Sequence, residues 1–289
     1  MKIISLILIS SALFFWQHHS PDAKLSNSFT LDSLGACQGI SNQQGKYFLY
    51  GDREVGVMRE YKLGTNTLID QHKEYQFTEN GINIIKHPTG IAYHKGLPTF
   101  IGNSVRLNEA GTAWKALIYS INWEGFLKTH TLDGNLINTI HDDACIQGVR
   151  PEYVQYKGKW YVATADYGNK ANEVRLYDPA VLQTASKTSD KGVLFKKFKC
   201  GPWVQNLLWV NTKGILILIQ NQVEGRKWRL TYLDLNQSIE NGEEKIIKVI
   251  DLDKQDELEG FTITDNQLQG IAVSSSKKDN ISFLNLSWK

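Results

Sequence analysis

The chain has 289 residues, 42% of them hydrophobic, and a formal net charge of +2. That length and apolar content support a large packed core and argue against a disordered or fibrous chain. The near-balanced charge points to no nucleic-acid or membrane-surface partner, and the 8 Trp and 12 Tyr suit half-buried strands without indicating sugar binding.

In chain order, Met1-Lys2 is followed by an apolar run from Ile3 to Trp16 and then Gln17-His18-His19-Ser20-Pro21. One positive charge before a short apolar stretch predicts a signal peptide over residues 1–20. The run is short for a spanning helix; an uncleaved anchor is the alternative. The expectation is a secreted or periplasmic protein, with residues 21–289 as the mature domain. Next comes Ser-Asn-Ser-Phe-Thr-Leu (26–31), which reads as a short strand.

From there a five-fold echo begins. Its copies are Cys37-Gln38-Gly39-Ile40, Pro88-Thr89-Gly90-Ile91, Pro151-Glu152-Tyr153-Val154, Val204-Gln205-Asn206-Leu207 and Leu258-Glu259-Gly260-Phe261. The steps from Gln38 to Thr89, Glu152, Gln205 and Glu259 are 51, 63, 53 and 54 residues. A period this long, with several strands per unit, predicts an all-β, five-bladed β-propeller of four-stranded blades.

Blade one takes 38–42, 46–51, 55–63 and 68–77; blade two takes 89–94, 97–102, 116–123 and 136–141. Blade three takes 152–156, 159–166, 173–177 and 192–199; blade four takes 204–210, 214–221, 228–235 and 244–252. Blade five has 259–264, 268–274 and 280–286 and lacks a fourth strand. The strand at 26–31 is expected to fill that place, closing the ring and covering an open edge. Loops 102–114, 179–191 and 236–244 are long enough to form rims or lids, or to be plain surface. The charged run from Lys191 to Lys199 reads as a solvated strand face.

In a propeller the innermost strands begin beside the axis, so Gln38, Thr89, Glu152, Gln205 and Glu259 should converge there. His87, Arg150, Trp203 and Asn206 flank them, and Asp52, Arg53 and Asp166 close the second strands. Buried polar groups must be paired, and two glutamates in one funnel repel unless a cation, an arginine or a proton intervenes. Glu152 and Glu259 are therefore the candidate metal ligands, for calcium, which prefers carboxylate and carbonyl oxygens. The other reading is that Arg150 neutralises one of them and water fills the axis. Cys145 and Cys200 lie in neighbouring blades and could pair; alternatively all three cysteines, Cys37 included, are buried thiols. No zinc-ligand spacing and no Gly-x-Ser-x-Gly elbow occurs.

These residues carry three family resemblances. Gln38-Gly39-Ile40-Ser41, Asp52-Arg53-Glu54-Val55-Gly56, Pro151-Glu152 and Leu258-Glu259-Gly260-Phe261 resemble segments of the secreted calcium-activated nucleotidases (apyrases). The chain departs from that pattern at Thr89, at Asn206 and over Ala163-Thr164-Ala165-Asp166. Pro151-Glu152-Tyr153-Val154 with Lys157-Gly158-Lys159-Trp160-Tyr161-Val162 resembles a strand pair of the arabinanase-like glycosidases. Those enzymes need an acid and a base across the scissile bond, whereas this chain has Gln38 and Gln205 at the corresponding places. His87-Pro88-Thr89-Gly90-Ile91-Ala92 resembles the start of a blade in lactonase-type and NHL-type propellers.

The sequence thus predicts a secreted monomer that binds a small polar ligand, a saccharide, through Gln38, Asp52, Arg53, His87, Thr89, Arg150, Glu152, Asp166, Trp203, Gln205, Asn206 and Glu259. The resemblances imply an alternative, a calcium-dependent hydrolase of nucleotides, lactones or glycosides. A non-catalytic interaction module is the third reading.

Overall fold

The computed structural model describes residues 21–32, 36–51, 55–170, 172–221 and 227–288. The expected signal peptide, Asp52 and Arg53 lie outside the described residues.

Alternating apolar and polar residues, broken by Gly, Asn and Lys turns, produce strand after strand. The first, β1 (Pro21–Phe29), precedes the blades. Blade one is β2 (Cys37–Gln43), β3 (Lys46–Gly51), β4 (Val57–Gly64) and β5 (Thr67–Gln76). A small hairpin, β6 (Thr78–Glu79) and β7 (Ile82–Asn83), leads to blade two. That blade comprises β8 (Pro88–Ala92), β9 (Thr99–Arg106), β10 (Trp114–Ile121) and β11 (Leu136–His141). Blade three is β12 (Glu152–Tyr156), β13 (Lys159–Ala165), β14 (Glu173–Tyr177) and β15 (Leu194–Lys199). Blade four is β16 (Val204–Val210), β17 (Ile215–Asn221), β18 (Trp228–Asp234) and β19 (Ile246–Leu252). Blade five supplies β20 (Leu258–Ile263), β21 (Gln269–Ser274) and β22 (Ile281–Trp288).

Each blade is an antiparallel meander, and β2, β8, β12, β16 and β20 touch one another around the axis. The chain is a five-bladed β-propeller. β1 pairs antiparallel with β22 from Pro21↔Trp288 to Phe29↔Ile281, so the N-terminal strand completes blade five as the sequence suggests. It starts earlier than expected, at Pro21, because Ala23 and Leu25 find partners in Leu286 and Leu284. Beyond its end, Asn280 clamps the backbone of Leu31 with hydrogen bonds of 2.8 and 3.0 Å.

The core consists of five apolar wedges, one between each pair of adjacent blades. Phe48, Met58 and Phe77 meet Ile91, Ile101 and Tyr119 between blades one and two. Ile217, Trp228 and Leu230 meet Phe261 and Ala272 between blades four and five, and Leu49 and Tyr61 meet Val273 and Phe283 across the ring closure. Each such buried side chain contributes roughly 1.5–3 kcal/mol relative to exposure, which makes the ring a rigid frame for its polar centre.

Among the described residues, three short α-helices and one 3-10 turn (Asn211–Lys213) interrupt the connections. Asn122 caps α1 (Trp123–Thr129) by accepting from Gly125 N, and Trp123 and Phe126 anchor it between blades one and two. Asp178 caps α2 (Pro179–Leu182) and Asp234 caps α3 (Leu235–Asn241). The last two fall in connections read from sequence as long loops, rims or lids or plain surface. No described helix is long and apolar enough to cross a membrane.

Cys145 and Cys200 carry unbridged thiols, so the possible Cys145–Cys200 bridge does not form. Cys145 Sγ instead lies 3.3 Å from Asp142 Oδ2 and 3.7 Å from Arg175 Nη1. Burial and then Asp142 push its pKa well up, and burial pushes Cys200 to about 12. Neither is a ready nucleophile.

Candidate ligand site at the axial mouth

Four innermost strands carry a bulge at their first turn. Pairing skips from Cys37 to Gly39, from Pro88 to Gly90, from Val204 to Asn206 and from Leu258 to Gly260. The skipped residues are Gln38, Thr89, Gln205 and Glu259, four of the five residues singled out by the echo. A bulge frees its residue from the ladder and re-aims it. Blade three has none: Val149↔Asp166 and Glu152↔Ala163 keep one register. Counted back from the hairpin turn, Glu152 therefore matches Gly39, Gly90, Asn206 and Gly260, one place beyond the bulge residues. The echo pairs it with Gln38 only because blade three lacks the extra residue.

That place is crowded. A Cβ on Gly260 would lie 2.8 Å from Gly39 Cα, and one on Gly90 would lie 2.9 Å from Pro151. Glu152 is half-buried there. Enclosure by protein pushes its pKa well above the usual carboxylate value, and the backbone N–H of Trp209 offsets this in part. Buried Tyr50 stands close by. Burial raises its pKa, Asn206 lowers it, and both Glu152 and Glu259 raise it further. The two glutamates thus share one neighbourhood.

Several axial groups are already engaged. Asn206 Nδ2 donates to Tyr50 OH (3.0 Å) and Glu259 O (3.3 Å), and its Oδ1 accepts Leu207 N–H. The Thr89 hydroxyl donates to Val149 O, tying blade two to blade three. Gln38 and Glu259 are buried. His87, on the blade-two side, is fixed through its backbone to Asn103 and Ser104.

Toward the mouth the network opens. Arg150 is 4% exposed. Its Nε donates to Gln205 O (3.2 Å) and its Nη2 to Gln205 Oε1 (3.3 Å). Gln205 Nε2 donates in turn to Glu257 Oε1 (2.8 Å), which also accepts from Tyr167 OH (3.4 Å). The Tyr167 ring lies over the guanidinium, 5.4 Å from its carbon, and meets Trp203 edge-on at 5.3 Å. Asp166 receives the N–H groups of Ile146 (2.9 Å) and Gln147 (2.8 Å). Burial raises its pKa, against those N–H groups and against Arg150 and Arg175.

Above this network lies a cavity of about 270 Å³, lined by Trp114, Tyr167, Trp203, Gln147, Asp166 and Lys170, among others. Trp203 has φ of 61°, a left-handed conformation that a bulky side chain adopts only under constraint. Its N–H donates to Gly168 O and its carbonyl accepts from Asn221, which locks the ring at the rim.

Of the residues expected from sequence, Arg150, Asp166, Trp203 and Gln205 gather at this mouth. Glu152, Glu259, Asn206 and Thr89 lie in the axial network. Trp160, from the strand pair that resembles the arabinanase-like enzymes, sits next to the hairpin turn with its ring tilted against His94 at 4.1 Å. Sequence reasoning missed Tyr50, Trp114, Gln147, Tyr167 and Glu257. Among the described residues, no group of three or more His, Cys, Asp or Glu side chains is placed to hold a metal ion. With Glu152 biased toward its neutral form, the two axial glutamates make a short set for calcium.

No family profile and no curated protein matches the chain. Among solved structures it is similar to the hydrazine synthase of Kuenenia stuttgartiensis, at 10% identity and a TM-score of 0.41, over 84% of this chain and 56% of that one. It is also similar to a provisionally named 6-phosphogluconolactonase from Bacteroides fragilis, at 11% identity and a TM-score of 0.40, over 82% and 63%. The chain spans less than two thirds of the length of either protein. The propeller assignment rests on the five sheets themselves.

Proposed function

We propose that this protein is an exported, monomeric propeller that binds a small polar ligand, a saccharide, at its axial mouth. The observation that carries the reading is the cavity bounded by Trp114, Tyr167 and Trp203 with Gln147, Asp166 and Lys170 among its polar walls. Aromatic faces receive the apolar side of a sugar ring while fixed polar groups orient its hydroxyls. At about 270 Å³ the space is at the small end for ligand pockets, which suits one or two sugar rings. The test is a glycan array joined to a thermal-shift screen of the folded chain. The reading expects at least one saccharide that raises the melting temperature and loses its effect in Trp114→Ala. A folded protein that answers to no saccharide contradicts it.

A second reading, a calcium-dependent hydrolase, is favoured by one observation: Glu152 and Glu259 both bear electrostatically on the Tyr50 hydroxyl and so belong to one neighbourhood. Calcium must then ionise Glu152 and raise the melting temperature with its concentration. Melting curves that coincide in calcium and in chelator rule it out.

A further inference from the structure

We infer that the mouth takes an anionic saccharide, one bearing a carboxylate, and that Arg150 and Trp203 supply the donors that receive it; this rests on the ligand reading above. A guanidinium offers five N–H donors. Arg150 spends Nε and Nη2 on Gln205, while Nη1 is buried with no hydrogen-bond partner. Trp203 Nε1, whose ring meets Tyr167 edge-on, is likewise buried without one. Unmatched donors are rare in folded interiors, and a charged one is the most costly to leave bare.

Two further features agree. Gly148 leaves space beside the guanidinium, where a Cβ would lie 2.8 Å from Nη1. Lys170 lines the cavity and the Arg106 guanidinium lies 5.0 Å from the centre of the Trp114 ring. Among the described residues neither makes an ion pair. The one carboxylate in the cavity wall, Asp166, already faces the N–H groups of Ile146 and Gln147. Among the described residues, Lys170 and the neighbouring Arg106 thus outnumber Asp166 at the cavity, Glu257 being held below by Gln205 and Tyr167, and few donors are to spare. That suits the two oxygens of a carboxylate better than the three of a phosphate. Tyr167 covers the guanidinium and must turn aside as the carboxylate reaches Nη1.

The experiment is calorimetric titration of the full mature chain with digalacturonate, with the neutral galactose disaccharide of the same linkage, and with sodium acetate. The expected result is digalacturonate binding at least about tenfold tighter than the neutral disaccharide, with acetate alone weaker than both. Arg150→Met should abolish the preference. Because that buried position could compromise folding, Trp203→Phe, which keeps a ring and removes the N–H, should reduce the preference independently. Equal binding of the two disaccharides, or a preference unchanged in both variants, overturns this inference and leaves the ligand reading standing. No binding of either disaccharide overturns this inference, while the ligand reading stands or falls on the glycan array. Acetate binding as tightly as digalacturonate shows a bare anion site and overturns the saccharide part.

Discussion

Glu152 stands where three other blades have glycine, its carboxyl enclosed by protein and near Tyr50. Its raised pKa has a consequence with a definite sign. Between the ordinary value of 4.5 and the higher folded value, the native protein keeps a proton that the unfolded chain has released. Stability contributed by this group is therefore complete below about pH 4.5 and lost as pH rises through the folded value. Glu152→Gln removes that slope. Thermal melts across pH should show the variant gaining on the parent protein as pH increases and then levelling off; a difference that stays flat with pH contradicts this assignment. Asp166 plays another part, because its two oxygens hold the backbone before blade three. Asp166→Ala should cost about 1–3 kcal/mol in urea unfolding. The polar character of both positions was legible in the sequence. The one-residue offset of Glu152 was not, since a bulge is a feature of pairing and leaves no mark on apolar spacing. Tyr50 was missed for a related reason: within Lys46-Tyr47-Phe48-Leu49-Tyr50 it reads as one more core aromatic.

The strands themselves were readable because alternation and turn residues act locally. Closure of the ring by the N-terminal strand could be inferred from a blade one strand short, and β1 does fill that edge along its length. A chain beginning at residue 30 should melt at a lower temperature and associate through the bared β22 edge. A monodisperse product with an unchanged melting curve refutes that role. Close approach of the innermost strands is equally exacting. A methyl group at Gly260 meets the backbone of Gly39, so Gly260→Ala should destabilise by about 1–3 kcal/mol, read from the urea midpoint. The helices α1, α2 and α3 escaped the sequence reading because each is short. Their caps, Asn122, Asp178 and Asp234, resemble ordinary turn residues until the chain around them is seen.

Across the whole molecule, five apolar wedges hold five polar strand starts around one axis, and the mouth collects what the connections bring. Trp114 comes from blade two, Asp166 and Tyr167 from the end of a blade-three strand, and Trp203 from the approach to blade four. The polar axis was foreseeable from the echo. The aromatic rim was not, because the segments that supply it follow no period and meet only once the ring closes. Indole N–H resonances give the most direct test of the mouth as a ligand site. They would be assigned by single Trp→Phe variants and followed during titration with the neutral and acidic disaccharides. The signals of Trp114 and Trp203 should move on binding while that of Trp228, buried in blade four, stays fixed. Saturating saccharide that leaves Trp114 and Trp203 unmoved, or that moves Trp160 instead, would contradict a ligand site at the mouth.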